Sequence, residues 1–300
     1  MSLHAWTSAR FTVPLPPGHR FPIEKYARLR DVLLLEGLIA PQHLHEPARA
    51  TREAVLLAHT ADYVDRLTRG ELPASEMRRI GFPWSEQLVE RAYRAVGGTV
   101  EAAAWAVQQG VAINLAGGTH HAFPGHGEGF CVFNDAAIAI RQLQLTGCIA
   151  RAAIVDLDVH QGNGTHAMFQ NDSSVFTFSM HGGRNYPFNK IAGDLDVELD
   201  DGTGDAVYLG LLADALPQVI AQSRPDLVVY LAGADPHEAD RLGRLKLSYD
   251  GLARRDAMVL VACRDVGIPV AIVIAGGYGS DVATTVEVHR RTVLVARDFA

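Results

Sequence analysis

Two short stretches carry residue types with no packing rationale. The first is Asp156-Leu-Asp-Val-His160, where two carboxylates and an imidazole stand two residues apart, followed by Gly162-Asn-Gly164. Ile154 and Val155 begin an apolar run. If the strand continued, Asp156, Asp158 and His160 would share one face. Burying such charges without partners is costly, and a bound cation removes the conflict. Asp and His form a ligand set that zinc accepts. The second stretch is Gly117-Gly-Thr-His-His121. Two imidazoles beside a metal loop supply a base for water and an acid for a leaving group, the needs of metal-assisted hydrolysis. Asp156 and Asn163 are the candidate groups to orient them.

Two further loops extend this chemistry. Asp235, in Ala232-Gly-Ala-Asp-Pro236, is a third candidate ligand, and Asp158, His160 and Asp235 leave a fourth position open. The alternative is an Asp capping a helix that Pro236 opens. Tyr278, in Ala275-Gly-Gly-Tyr-Gly279, offers a hydroxyl to a developing oxyanion. Phe123, Phe130 and Tyr186 are loop aromatics able to wall a narrow apolar channel, although ordinary packing also explains Phe123.

The positioning elements follow from the apolar pattern. Runs at Val111–Ala116, Ala152–Leu157, Val175–Met180, Asp226–Leu231 and Val270–Ile274 alternate with helical stretches. Continuous apolar strands between helices predict an α/β fold with a mostly parallel central sheet covered on both faces. The loops Gly117–Asn134, Asp156–Thr165, Ser179–Pro187, Gly233–Asp240 and Gly276–Gly279 each follow a strand's C-terminal end, where open parallel sheets bind ligands. Earlier in the chain, residues 1–24 read as an extended Pro-rich arm and residues 24–38 as a helix. Thr60–Leu67 reads as a short helix capped by Thr60. Ser85 opens a long helix to residue 109, in which Gly97 and Gly98 mark a close backbone approach. With no repeat or linker, residues 1–300 read as one catalytic domain.

Bulk properties exclude some classes. The 300 residues carry a net charge of −7, with 48% hydrophobic and 20% charged residues, and no basic tract. Direct nucleic-acid binding is therefore not expected. No apolar run is long enough to span a bilayer. Cys131, Cys148 and Cys263 are few, widely spaced and each set in an apolar context, which points to a reducing cytosol rather than a disulfide framework.

Taken together, Gly-Thr-His-His-Ala122, Gly129-Phe-Cys-Val-Phe-Asn-Asp135, Val155-Asp-Leu-Asp-Val-His-Gln-Gly-Asn-Gly164, Ala232-Gly-Ala-Asp235 and Gly-Gly-Tyr278 resemble the histone deacetylase family, amidohydrolases of the arginase/deacetylase fold. His160-Gln-Gly-Asn-Gly164, Tyr186-Pro187, Asp240-Arg-Leu-Gly243 and Phe21-Pro-Ile-Glu-Lys-Tyr26 resemble its class IV branch most. The resemblance implies zinc, with ferrous iron as an alternative, on Asp158, His160 and Asp235. It implies His121 as general base, and His120 as electrostatic or acid partner held by Asp156. Tyr278 would polarise the scissile carbonyl. Gly129 and Phe130 would line an acyl-lysine channel. A structural potassium ion would sit on Asp156, Ser179 and the carbonyls of Asp158, His160 and Met180, with a second alkali site near Phe169, Asp172 and Val175. The implied substrate is an acyl-lysine peptide or protein, class IV likeness favouring long acyl chains. A rival is an acylated small amine such as an acetylpolyamine, for which Glu128 or Glu238 would be an acidic gate. A catalytically silent metal- or peptide-binding protein is the third reading. Gly162 and His237 stand where a two-metal arginase site needs carboxylates, so one metal is expected.

Overall fold

The computed structural model describes residues 2–300. In chain order its elements are β1 (His4–Trp6), α1 (Lys25–Leu35), a 3-10 turn (Pro41–His43), β2 (Leu44–His45), α2 (Arg52–Val55), α3 (Ala61–Arg69) and α4 (Ala74–Ile80). Then come α5 (Glu86–Gln109), β3 (Val111–Asn114), α6 (Asp135–Leu145), β4 (Ala152–Asp156), α7 (Asn163–Phe169), β5 (Val175–Gly182) and β6 (Leu195–Leu199). The chain closes with α8 (Asp205–Ser223), β7 (Leu227–Ala232), α9 (Tyr249–Arg264), β8 (Val270–Ile274) and α10 (Val282–Arg297). The eight strands form one sheet in the order β2-β1-β3-β8-β7-β4-β5-β6. Every pairing is parallel, so the α/β expectation holds in its strictest form.

The strands are apolar on both faces because both are covered. In β4, Ile154 packs into one core with Ala102, Ala103 and Ala106 of α5 and Ala136 and Ile140 of α6. Its neighbour Val155 packs into the opposite core with Leu29 of α1, Leu212 of α8, Val259 of α9 and Val293 of α10. This alternation of faces repeats along β7 and β8.

The predicted long helix begins as its sequence dictates: the Ser85 hydroxyl accepts from the Leu88 amide at 3.1 Å. Gly97 is required by contact. A Cβ there would come within 1.9 Å of the Ala48 carbonyl oxygen. Thr60 does sit at the N-cap of α3, but its side chain makes no capping bond.

The strand carrying the acidic motif stops at Asp156, so Asp158 and His160 lie in the strand-end loop, as the sequence reading placed them, and the shared strand face does not arise. Two expectations need correction. The first strand of the sheet lies within the supposed extended arm, where β1 pairs with both β2 and β3. Cys148 is exposed rather than set in an apolar environment, and all three thiols are free.

His59 illustrates how the fold supports the site loops. It is 4% exposed, and its Nε2 accepts from the Asn134 amide at 2.9 Å. Asn134 in turn caps α6 through the Ala137 amide and donates to the Thr165 hydroxyl at 2.9 Å. Burial pulls the His59 pKa from 6.5 down to about 4. Between those values the unfolded chain binds a proton that the folded chain refuses, so stability rises with pH. As pH falls through this window His59 costs up to about 3 kcal/mol. Denaturant midpoints at pH 7 and pH 4.5 should therefore draw apart less in His59→Gln than in the parent. An identical shift in both would show that His59 does not contribute.

Candidate active site

The strand order places the C-terminal ends of β3, β8, β7, β4 and β5 side by side. Their loops meet around one cavity of about 690 Å³. Gly117 to His121 follow β3, Asp158 and His160 follow β4, and Tyr186 follows β5. Gly276 and Tyr278 follow β8. Asp235, after β7, is fully buried beneath them.

Asp158, His160 and Asp235 bring one ligand atom each to within 4.8 Å of one another. His160 Nδ1 lies 2.9 Å from Asp158 Oδ1 and 3.2 Å from Asp235 Oδ2. The remaining carboxylate oxygens are fixed by backbone: Gly276 N–H donates to Asp158 Oδ2 at 2.7 Å, and Val159 N–H donates to Asp235 Oδ1 at 2.9 Å. Asp235 therefore does not cap a helix at Pro236. Its Oδ2 is buried and lacks a hydrogen bond. Burial raises the Asp235 pKa, and the adjacent Asp158 carboxylate raises it further. Burial alone would lower the pKa of His160, but the bond to Asp158 and the adjacent Asp235 carboxylate override it and hold the imidazole up to about 10. Two buried carboxylates, a Nδ1 forced to carry a proton and an orphaned oxygen are what a divalent cation relieves. The three residues thus fit a metal ion.

The histidine pair stands against this group, with ring centroids 4.1 Å apart. His120 Nδ1 donates to Asp156 Oδ2 at 2.6 Å, and His121 Nδ1 donates to Asn163 Oδ1 at 2.7 Å. The two partners set opposite charge states. Burial works against a charge on His120, but Asp156 and Asp158 raise it to about 9. His121 is pushed well below its ordinary value, first by burial and then by His120 and His160. One imidazole is held charged and the other neutral.

Tyr278 is buried against the cavity, its ring centroid 6.4 Å from that of His160. Asp240 accepts from its amide at 2.6 Å, and Arg241 donates to its carbonyl at 3.0 Å. Burial raises its pKa well above 10, so the hydroxyl keeps its proton. Gly129, Phe130 and Tyr186 line the same cavity. Gly129 and Phe130 both have positive φ, of 57° and 66°. A Cβ on Gly129 would come within 2.6 Å of the His121 ring, and for Phe130 this backbone is strained. Phe123 instead stacks on His126 and does not line the cavity.

Asp156 faces Ser179 across the β4–β5 pairing, with Met180 next along β5, and all three are buried. Their polar side chains already have partners: Asp156 holds the Asp158 amide and His120, and Ser179 bonds His181 at 2.9 Å. At the second suggested alkali site Asp172 is engaged by Ser174 and Arg141.

Several supporting residues escaped the sequence reading. Asp135 accepts from the Thr119 amide at 2.8 Å and the Thr99 hydroxyl at 2.6 Å, pinning the histidine loop to α5 and α6. Lys25 is buried and donates to the Ala275 carbonyl at 3.2 Å, behind Tyr278. Glu128, suggested as a gate, does not line the cavity. It accepts from the Asn163 amide nitrogen and the Tyr186 hydroxyl, each at 2.8 Å. Glu238 is exposed and away from the cavity wall. Asp135 lay within a motif that gave a resemblance without a role. Lys25 likewise lay within the Phe21–Tyr26 motif, which gave a resemblance without a role.

Comparison with known proteins agrees with this geometry. The histone deacetylase domain matches residues 19–293. An uncharacterized protein of Picosynechococcus sp. is 47% identical, the alignment covering 96% of each chain. Histone deacetylase 2 of Arabidopsis thaliana is 34% identical over 87% of this chain and 70% of its own. Among solved structures, an HDAC homolog complexed with SAHA superposes with a TM-score of 0.85 at 24% identity, over 98% of this chain and 83% of that one. At that identity it supports the fold. Motifs, sheet and domain match thus converge, and the chain belongs to the histone deacetylase family.

Proposed function

We propose that the protein is a zinc-dependent amidohydrolase that removes an acyl group from the Nε of lysine. The observation that carries this reading is the histidine pair, His120 bonded to a carboxylate and His121 to a neutral amide, both facing the buried group whose Asp235 Oδ2 is unsatisfied. Asp158, His160 and Asp235 would hold the ion, zinc or alternatively ferrous iron. When bound, such an ion supplies Lewis-acid activation of water and of the scissile carbonyl. His121 takes the proton of the attacking water on Nε2, because its Nδ1 is committed to Asn163. His120, kept charged by Asp156, stabilises negative charge and serves as the acid partner. The Tyr278 hydroxyl donates to the oxyanion. Gly129, Phe130 and Tyr186 form the channel for the acylated side chain. Class IV likeness and a preference for long acyl chains rest on family analogy. So does a structural potassium ion at Asp156, Asp158, His160, Ser179 and Met180. A cytosolic setting is supported by the three free thiols. Among the described residues no helix is long and apolar enough to cross a membrane.

The acetylpolyamine reading needs an acidic gate for its amine. Among the described residues Asp158 is the only carboxylate residue lining the cavity, which disfavours it. The test is elemental analysis paired with hydrolysis of acetyl- and myristoyl-lysine peptides before and after chelation. Close to one metal per chain, with activity lost on chelation and restored by zinc, is expected. Metal bound without hydrolysis of either peptide would move the choice to a small amine or a silent protein. No metal after reconstitution would end the zinc assignment.

A further inference from the structure

The cavity has a floor of carboxylate and imidazole and a rim of opposite character. Four separate segments each bring arginine to it: Arg20 from the N-terminal segment, Arg78 and Arg79 from α4, Arg184 after β5, and Arg241 and Arg244 after β7. All six are exposed. This is unexpected in a chain of net charge −7.

What sets these side chains apart is their convergence on one entrance. Most arginines elsewhere lie against carboxylates, as Arg52 does with Asp65 at 2.7 Å and Arg291 with Glu287 at 2.7 Å, and those that do not, such as Arg91 and Arg151, bond backbone carbonyls or stand singly. At the rim, Arg244 meets Asp201 at 3.0 Å, and Arg184 reaches the same carboxylate only at 4.0 Å. Arg20, Arg78, Arg79 and Arg241 have no carboxylate within ion-pairing reach among the described residues. Glu24 and Asp281 line the adjoining cleft without touching them. Asp240 spends its carboxylate on the amides of Leu242, Gly243 and Tyr278. The collar is therefore electropositive, and it surrounds the entrance on several sides. A single carboxylate would need one bidentate arginine. Arginines spread over four segments suit several negative charges flanking the group that enters. Phe188, 86% exposed at the same mouth, adds an apolar contact suited to a polypeptide.

We propose that the arginine collar selects acylated lysines that lie in acidic protein segments, with aspartate or glutamate on both sides of the lysine. This rests on the deacylase reading and names its substrate class. Opposite potentials at an entrance raise association and penalise partners of like charge.

The test uses zinc-loaded protein and three fluorescein-labelled acyl-lysine peptides of equal length, flanked by Glu, Gln or Lys. Their kcat/KM values and their binding by anisotropy are both measured. At low ionic strength the Glu peptide should exceed the Lys peptide by about tenfold or more in each measure, and high salt should shrink the ratio. Combining Arg20→Gln, Arg78→Gln and Arg79→Gln should reduce the ratio severalfold. Misfolding of that variant would lower every peptide alike, and the salt series on the parent protein then decides. Equal treatment of the three peptides, preference for the Lys peptide, or a ratio untouched by both salt and substitution would overturn the collar. So would tighter binding of a labelled oligonucleotide than of the Glu peptide. If no peptide is cleaved, the deacylase reading fails. Anisotropy then judges the collar alone: tighter Glu-peptide binding keeps it, and equal binding removes it.

Discussion

Replacing His121 by Ala should lower turnover on an acyl-lysine peptide about 10²- to 10⁴-fold, the range for removing a positioned general base. Fold and metal content should be retained, because His121 is not among the three gathered ligands. The argument runs through its neighbours. Glu128 accepts from the Asn163 amide nitrogen and so turns the Asn163 carbonyl oxygen toward His121. That oxygen can only accept, so His121 Nδ1 must carry hydrogen and the lone pair falls on Nε2. Burial, with His120 and His160 alongside, keeps the ring neutral and ready to take a proton. The check is single-turnover kinetics with elemental analysis on the same preparation. A variant that kept more than a tenth of parental turnover would remove His121 from the base role.

Tyr278→Phe should cost about a hundred- to a thousandfold in kcat, the usual loss for one oxyanion donor. KM should change little, since the ring remains against Phe130 and Lys25. Burial and the carboxylates of Asp235 and Asp158 hold the phenol protonated, so it donates throughout the neutral range. The backbone bonds to Asp240 and Arg241 do not involve the hydroxyl, and the loop should keep its place. Near-parental kcat in a folded, metal-loaded variant would contradict the assignment.

The site was more legible in the sequence than its surroundings. Asp158, His160 and Asp235 stood out because apolar strands rarely end in charge, and that signal is local. The strand-end rule located the loops of β3, β4, β5, β7 and β8 without knowledge of strand order. What escaped was short or distributed. β1 and β2 have three and two residues, too few for any period to show. β6 alternates Leu-Asp-Val-Glu-Leu, but it pairs only with β5 and so lacks the continuous apolar run of the inner strands. Glu128 read as a gate because its distance from Asn163, 35 residues along the chain, is a property of the fold. The collar arginines come from four segments, and none forms a run.

The sheet order has a consequence for how the molecule comes into being. β8, the last of the sheet's eight strands in chain order, lies between β3 and β7 and is bonded to both. Until residues 270–274 leave the ribosome, the sheet consists of two halves with no strand to join them. The nascent chain can already own the histidine pair, Asp158, His160 and Asp235, yet it has no cavity to set them in. The hydrophobic edges of both halves wait for that one late strand, a closure between segments far apart in sequence. Any catalytic competence would therefore wait for β8 and arrive in a single step, however early the site residues are made.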